Sequence, residues 1–146
     1  MKKFVFSLEA LYAMKENTEK LHKIQLRTIQ TELDELLQKI ESYNSDFDKA
    51  KEDFIKNINS GVEASHATNY DDYFLKIRAA IAIIEDKKRH LEQQKEKCLS
   101  ELVETRKEKT MLEKLKEKEY QEFLSELKKK QELVVEDFLS YKSSVS

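Results

Sequence analysis

The residues best able to do chemistry are three histidines and one cysteine, and none of them forms a motif. Zinc sites and catalytic bases need a second ligand or partner at a defined spacing, such as i+3 or i+4 on a helix. His22, His66 and His90 are scattered along the 146 residues and have no such neighbour. Cys98 is the only cysteine, which excludes an internal disulfide and a cysteine-rich metal site. We therefore expect no catalytic residue, no metal site and no cofactor.

The glycine content argues against nucleotide chemistry. Phosphate-binding loops need several glycines so that backbone N–H groups can approach the phosphate, and this chain has only Gly61. The carboxylate pairs Asp71-Asp72 and Glu85-Asp86 suit helix capping and solvated surface. Two paired helices also provide no concave pocket in which an acid could be desolvated. The sequence therefore predicts a protein that is not an enzyme.

The composition predicts a few very long helices. Charged residues make up 38% of the chain, against roughly 25% in typical globular domains. There is no proline, and the abundant Glu, Lys and Leu all favour helices. A compact domain would need more turns than one glycine can supply.

The charge balance and hydropathy exclude two classes of partner. The formal net charge is −2, without the basic excess that nucleic acid binding requires. No apolar run approaches the ~20 residues of a membrane span, and the short run from Phe4 to Phe6 stops at Ser7, too early for a signal peptide. We expect a cytoplasmic protein that binds no nucleic acid and does not insert into the membrane directly.

A heptad pattern in the first half of the chain predicts a helix over about residues 6–59. Apolar residues recur at alternating spacings of three and four, which is typical of a coiled-coil seam. The seam residues are Leu26, Ile29, Leu33, Leu36, Ile40, Tyr43, Phe47, Ala50 and Phe54. Such a helix would be on the order of 80 Å long.

A second heptad pattern predicts a helix over about residues 70–142, roughly 110 Å long. Asn69 is the expected N-cap, and the turn is expected at about residues 60–69, beside Gly61. The seam residues are Phe74, Ile77, Ile81, Ile84, Lys88, Leu91, Lys95, Cys98, Leu102, Thr105, Lys109 and Leu112. The phase slips near Leu115 and resumes as Tyr120, Leu124, Leu127, Gln131, Val134, Phe138 and Tyr141. We predict one all-α domain, residues 1–146, folded as a long two-helix antiparallel coiled-coil hairpin.

Several seam positions are polar. For Lys88, Lys95 and Lys109 we expect stems that pack along the seam while the ammonium groups reach water. An alternative is that these lysines make the middle of the helix pair less stable than the two ends of the pair. Polar seam residues also fix the register of the two helices. Cys98, in the same seam, is expected to act as a small buried hydrophobe.

Antiparallel pairing leaves one end of the second helix without a partner. With the turn centred near Ser65, position i faces about position 130 − i, which puts Leu33 opposite Cys98 and Leu8 opposite Phe123. The second helix continues past the end of the first with Val134, Val135, Phe138, Leu139 and Tyr141 unpaired. Unpaired apolar stripes mark binding surfaces. The sequence leaves open binding to a different protein, self-association, or fraying.

Aromatic residues concentrate beside the turn. Tyr70, Tyr73 and Phe74 cannot all point into one narrow seam. At least one of them should be exposed, and exposed aromatics are favoured anchors of protein interfaces.

Three segments together resemble the flagellar FliJ protein family, a component of the bacterial type III export apparatus. The chain opens with Phe4-x-Phe6-x-Leu8-Glu9-x-Leu11-Tyr12, and its turn region reads Gly61-Val62-x-Ala64-Ser65-x-x-x-Asn69-Tyr70-x-x-Tyr73-Phe74-x-x-Ile77. Further on comes Arg106-Lys107-Glu108-Lys109-x-Met111-Leu112-Glu113-Lys114-Leu115. The resemblance covers essentially the whole chain, and the turn region is its most specific part because heptad periodicity does not explain it.

The resemblance implies a stalk similar to that of the rotary ATPase gamma subunit. The implied partners are the hexameric export ATPase, the cytoplasmic domain of the export gate protein and export chaperones. The implied location is the cytoplasmic face of the cell membrane at the flagellar base. The residues expected to bind the export gate are Tyr73, Ile77, Ala80 and Ile84. The residues expected to bind the ATPase are Leu8, Leu11, Val134 and Phe138. The alternative is a structural coiled coil, or the stalk of a virulence type III secretion system.

Overall fold

Two long helices make up nearly all of the computed structural model, which describes residues 2–61 and 64–145. Helix α1 spans Glu9–Asn59 and helix α2 spans Ala64–Val145. The chain divides into two compact units. The turn unit contains residues 22–101, and the terminal unit contains the described residues of 1–21 and 102–146. In each unit a segment of α1 packs antiparallel to a segment of α2, which confirms the predicted all-α antiparallel hairpin.

The turn is shorter than the sequence predicted. The α1 helix ends at Asn59 as expected, and Gly61 takes the positive φ of 83° that ends helices. The α2 helix then begins at Ala64, so Asn69 lies inside the helix and the prediction that it is the N-cap was wrong. Beside the turn, Asn57 Nδ2 donates a hydrogen bond to Tyr70 Oη at 2.7 Å, which joins the end of α1 to the first turns of α2. Residues 62 and 63 of the turn expected at about 60–69 lie outside the described residues.

The earlier start of α2 shifts the register in both units. In the turn unit, Lys95 Nζ donates to Gln30 Oε1 at 2.9 Å, and in the terminal unit Tyr12 Oη donates to Glu113 Oε1 at 2.8 Å. Facing positions therefore follow about 125 − i instead of 130 − i, because the turn is centred about three residues earlier. Phe123 accordingly contacts Phe4, with ring centroids 5.6 Å apart, whereas Leu8, predicted to face Phe123, is level with about residue 117.

The start of α1 also differs from its predicted position near Phe6. Residues 2–6 are not helical, and α1 begins at Glu9. Phe6 is buried, Phe4 is half-buried and Val5 between them is exposed. Alternate residues of an extended chain point the same way, so this segment can lay both aromatic rings against α2.

Each unit has its own narrow apolar seam. In the turn unit, Ile29, Leu33 and Cys98 form a buried cluster, with Leu26 and Leu91 packed against it. The cluster includes both Leu33 and Cys98, although the observed register sets Leu33 level with about residue 92 and not with Cys98. In the terminal unit the buried residues are Phe6, Leu102, Thr105 and Leu112.

Two of the three seam lysines bind the opposite helix, so their ammonium groups do more than reach water. Lys95 donates to Gln30, as described above, and Lys109 Nζ lies 3.2 Å from Glu19 Oε2. Lys88 instead lies 3.8 Å from Glu92 of its own helix. Polar contacts across a seam are satisfied only at the correct offset, and they therefore help to fix the register.

Candidate protein-binding surfaces

The last part of α2 is uncovered. Every side chain from Lys128 to Val145, called here the C-terminal segment, is exposed. Val134 is 67% exposed, Phe138 63% and Tyr141 69%. Within the described residues 2–61 and 64–145 nothing covers this segment, which confirms the unpaired stripe expected from the lengths of the two helices.

Five apolar residues of this region lie on one face of α2, while Leu133, Val135 and Leu139 are exposed on other faces. Leu124, Leu127, Val134, Phe138 and Tyr141, called here the C-terminal stripe, are separated by three, seven, four and three residues. Leu124 and Leu127 are partly exposed, and the other three are largely exposed. Exposed apolar stripes of this size mark interaction sites in proteins.

The four residues expected to bind the ATPase all lie in the terminal unit, but they do not form one patch. Leu8 is half-buried and Leu11 is 36% exposed, near the start of α1. By the observed register, Leu8 is level with about residue 117 of α2. Val134 and Phe138 lie at least about 25 Å farther along α2, at 1.5 Å per residue. A single partner would have to be large enough to reach both pairs.

The four residues expected to bind the export gate divide into two pairs. Tyr73 is 43% exposed, which confirms that one of the aromatics beside the turn faces outward, and Ala80 is half-buried. Ile77 and Ile84 are only 4% and 8% exposed. Tyr73 and Ala80 are therefore the two that a partner could reach directly, and the burial of both isoleucines agrees with their predicted seam positions.

A shallow groove in the turn unit contains acidic residues that the sequence analysis missed. Its lining residues are Asp46, Lys49, Ala50, Asp53, Asn69, Tyr70 and Tyr73. The spacing of Asp46, Lys49 and Asp53 puts them on one face of α1, which was the available signal. Only the pairing of the two helices shows that this face lies beside Tyr73.

Cys98, His22 and His90, considered above as candidates for chemistry, make contacts that are typical of structural residues. Cys98 Sγ donates to the backbone oxygen of His22 at 3.4 Å, and burial raises the pKa of the Cys98 thiol. A raised pKa keeps the thiol protonated and therefore weakly nucleophilic. His22 Nδ1 lies 3.7 Å from Glu101 Oε2, and His90 Nε2 lies 3.6 Å from Asp86 Oδ2.

Neither a metal site nor a membrane span is found in the part of the chain that the structure describes. No three His, Cys, Asp or Glu side chains among residues 2–61 and 64–145 are grouped so that they could hold a metal ion. No helix in these same ranges is both long and apolar enough to cross a membrane.

These surfaces define a class of protein: an all-helical hairpin with exposed apolar residues available to other proteins. The particular family follows from comparison, because the model of the family described as Flagellar FliJ protein matches residues 4–144. The chain belongs to this family, and is thus a component of the flagellar protein export apparatus. No curated protein and no solved structure matches the chain.

Proposed function

We propose that this protein is a non-enzymatic stalk and escort of flagellar export. In this proposal it binds the hexameric export ATPase, the cytoplasmic domain of the export gate protein and export chaperones, and so promotes the export of flagellar proteins. It would act in the cytoplasm, on the cytoplasmic face of the membrane at the flagellar base. Membership of the FliJ family supports the export role and favours it over the stalk of a virulence secretion system.

The observation that carries the proposal is the uncovered C-terminal segment. Val134 and Phe138 are exposed, and they lie on a part of α2 that α1 does not cover. Leu11, near the start of α1, adds a second partly exposed apolar side chain in the same unit. A ring of subunits is large enough to contact both places, whereas a small ligand is not. We therefore assign ATPase binding to the terminal unit.

The gate-binding part of the proposal rests on Tyr73. Aromatic side chains supply much of the binding energy in protein interfaces, and Tyr73 is the exposed aromatic among the four expected residues. Ala80 contributes a small side chain that allows close approach. Ile77 and Ile84 act indirectly, since their burial holds the exposed face of α2 in place.

A binding assay with the flagellar ATPase tests the terminal unit. Wild-type protein should bind the ATPase and change its rate of ATP hydrolysis. A double variant, Val134→Ser with Phe138→Ser, should bind about tenfold or more weakly, because two truncated anchor side chains typically cost more than 1 kcal/mol each.

A variant with an equally exposed apolar residue in the other unit provides the control. Leu75 of the turn unit is 63% exposed, so Leu75→Ser should leave ATPase binding unchanged. Wild-type protein that neither binds the ATPase nor alters its hydrolysis rate would refute the assignment.

A further inference from the structure

In the C-terminal segment, basic residues precede acidic residues along the helix that carries the C-terminal stripe. Three lysines, Lys128–Lys130, open the segment, and Glu136 and Asp137 follow about two helical turns later. All five side chains are exposed. The net charge is thus positive before Val134, where Glu132 offsets one lysine, and negative after it, where Lys142 offsets one carboxylate.

The spacing of the C-terminal stripe is typical of a helix that pairs with another helix. Leu124, Leu127, Val134, Phe138 and Tyr141 occupy alternating core positions of a heptad repeat, with Gln131 at the one polar core position. The same helix already pairs in this way with α1 up to about Lys116, whose Nζ lies 3.2 Å from Glu9 Oε2, and Phe4 of the non-helical stretch before α1 packs on Phe123. The stripe continues that mode of packing beyond the point where α1 ends.

We propose that the C-terminal segments of two copies of this chain pair as an antiparallel two-helix coiled coil. Leu127 of one copy packs against Phe138 of the other, and Leu124 packs against Tyr141. Gln131 then faces Val134 near the two-fold axis. Because the stripe is self-complementary in this register, six core layers form and five of the six core residues on each copy are apolar.

Charge selects the antiparallel orientation. In this register the lysine run of one copy lies at the level of Glu136 and Asp137 of the other, and Lys130 flanks the core next to Asp137 of the second copy. A parallel pair would instead place the two runs Lys128–Lys130 side by side. The lysines of the two runs would then repel each other, because charges closer than the Debye length of about 8 Å in physiological salt are not fully screened.

The dimer would compete with the ATPase proposed above, because it covers Val134 and Phe138. It does not depend on that proposal, since self-association is measured with the purified chain alone. If both hold, the dimer is a stored form of the protein, and the ATPase should convert it to monomers.

Sedimentation equilibrium of the full chain over a range of concentrations tests the pairing by charge reversal. Wild-type protein should show a monomer–dimer equilibrium. Lys130→Glu and Asp137→Lys should each weaken dimerisation by about tenfold, because each replaces two attractive pairs with two repulsive ones. The double variant, K130E with D137K, should restore dimerisation to about the wild-type level.

Lys129→Glu is the matched control. Lys129 lies in the same run but points away from the proposed interface, so its reversal should leave the dimer nearly unchanged. A chain that stays monomeric at every concentration would overturn the proposal. So would a dimer whose strength the double variant fails to restore, since that result means a different register, a parallel pair or another surface.

Discussion

At the residue scale, the polar contacts between the helices are specific although they lie near solvent. Tyr12 Oη donates to Glu113, and the Lys109 ammonium lies 5.7 Å from the centre of the Tyr12 ring. Lys15 pairs with Glu108 in the same region. Surface ion pairs of this kind each contribute little to stability, so their main effect is to hold one offset of α1 against α2.

Tyr12 gives a prediction about alkaline pH. The hydrogen bond to Glu113, with smaller effects of burial and nearby carboxylates, raises the pKa of Tyr12 from 10.0 to about 12. A folded-state pKa above the unfolded value means that the contribution of neutral Tyr12 to stability is complete below pH 10 and is lost as pH rises towards 12. An absorbance titration of tyrosinate, with Tyr12→Phe to identify the signal, should show this late ionisation.

The partner carboxylate provides the test of the cause. Glu113→Gln should lower the pKa of Tyr12 towards its ordinary value, while Glu117→Gln, a nearby exposed change, should not. Ionisation of Tyr12 near pH 10 in the wild-type chain would show that the hydrogen bond is not maintained in solution.

At the element scale, each helix pair depends on few buried side chains. The buried cluster of the turn unit consists of Ile29, Leu33 and Cys98, and most other side chains of that unit are at least partly exposed. Since apolar burial is the main stabilising term in folding, this cluster, together with the buried Ile77 and Ile84, determines whether the helices of the turn unit stay paired. The charged faces keep the helices hydrated and add only small helical pair energies.

Truncating one cluster residue should therefore be costly. We expect Leu33→Ala to lower the free energy of unfolding by about 2–4 kcal/mol, through lost apolar burial and the cavity left behind. Leu37→Ala is the matched control, because Leu37 lies one turn later on the same helix and is 41% exposed. Urea unfolding followed by circular dichroism should show a large shift for the first variant. Equal shifts for the two variants would contradict the seam assignment.

At the scale of the whole molecule, different units carry the two proposed contacts. Tyr73 lies in the turn unit, and Val134 and Phe138 lie in the terminal unit. Substitutions that are distant and share no partners usually act independently. Gate binding and ATPase binding should therefore be separable by mutation.

The separation predicts a crossed pattern of binding defects. Tyr73→Ala should weaken binding to the export gate domain about tenfold, by loss of an aromatic anchor, and leave ATPase binding unchanged. The double variant at Val134 and Phe138 should do the reverse. Ile77→Ala should also weaken gate binding, but together with the free energy of unfolding, because Ile77 is buried. Titration calorimetry with each purified partner measures both effects. Loss of both activities in every variant would contradict separate sites.

Local pattern was sufficient to predict the fold class. The three-and-four spacing through Leu26 and Leu33, and again through Phe74 and Leu102, depends only on helical geometry, so two helices and their apolar seams followed directly. The uncovered end of α2 followed from the unequal lengths of the helices. The resemblance to the FliJ family rested on short motifs that the family match then confirmed.

Other features were decided only by the tertiary structure. Asn69 favours a cap by its own preference, yet it lies inside α2 because the helix begins at Ala64. The start of α2 at Ala64 sets the register, and the register decides which side chains meet. Tyr70, Tyr73 and Phe74 could not be told apart by exposure in the sequence, yet Tyr73 is exposed and the other two are half-buried. Asp46 and Asp53 of α1 line the same groove as Tyr73 of α2. A seam pattern fixes the periodicity of a helix, whereas its offset and its exposed face depend on the partner against which it packs.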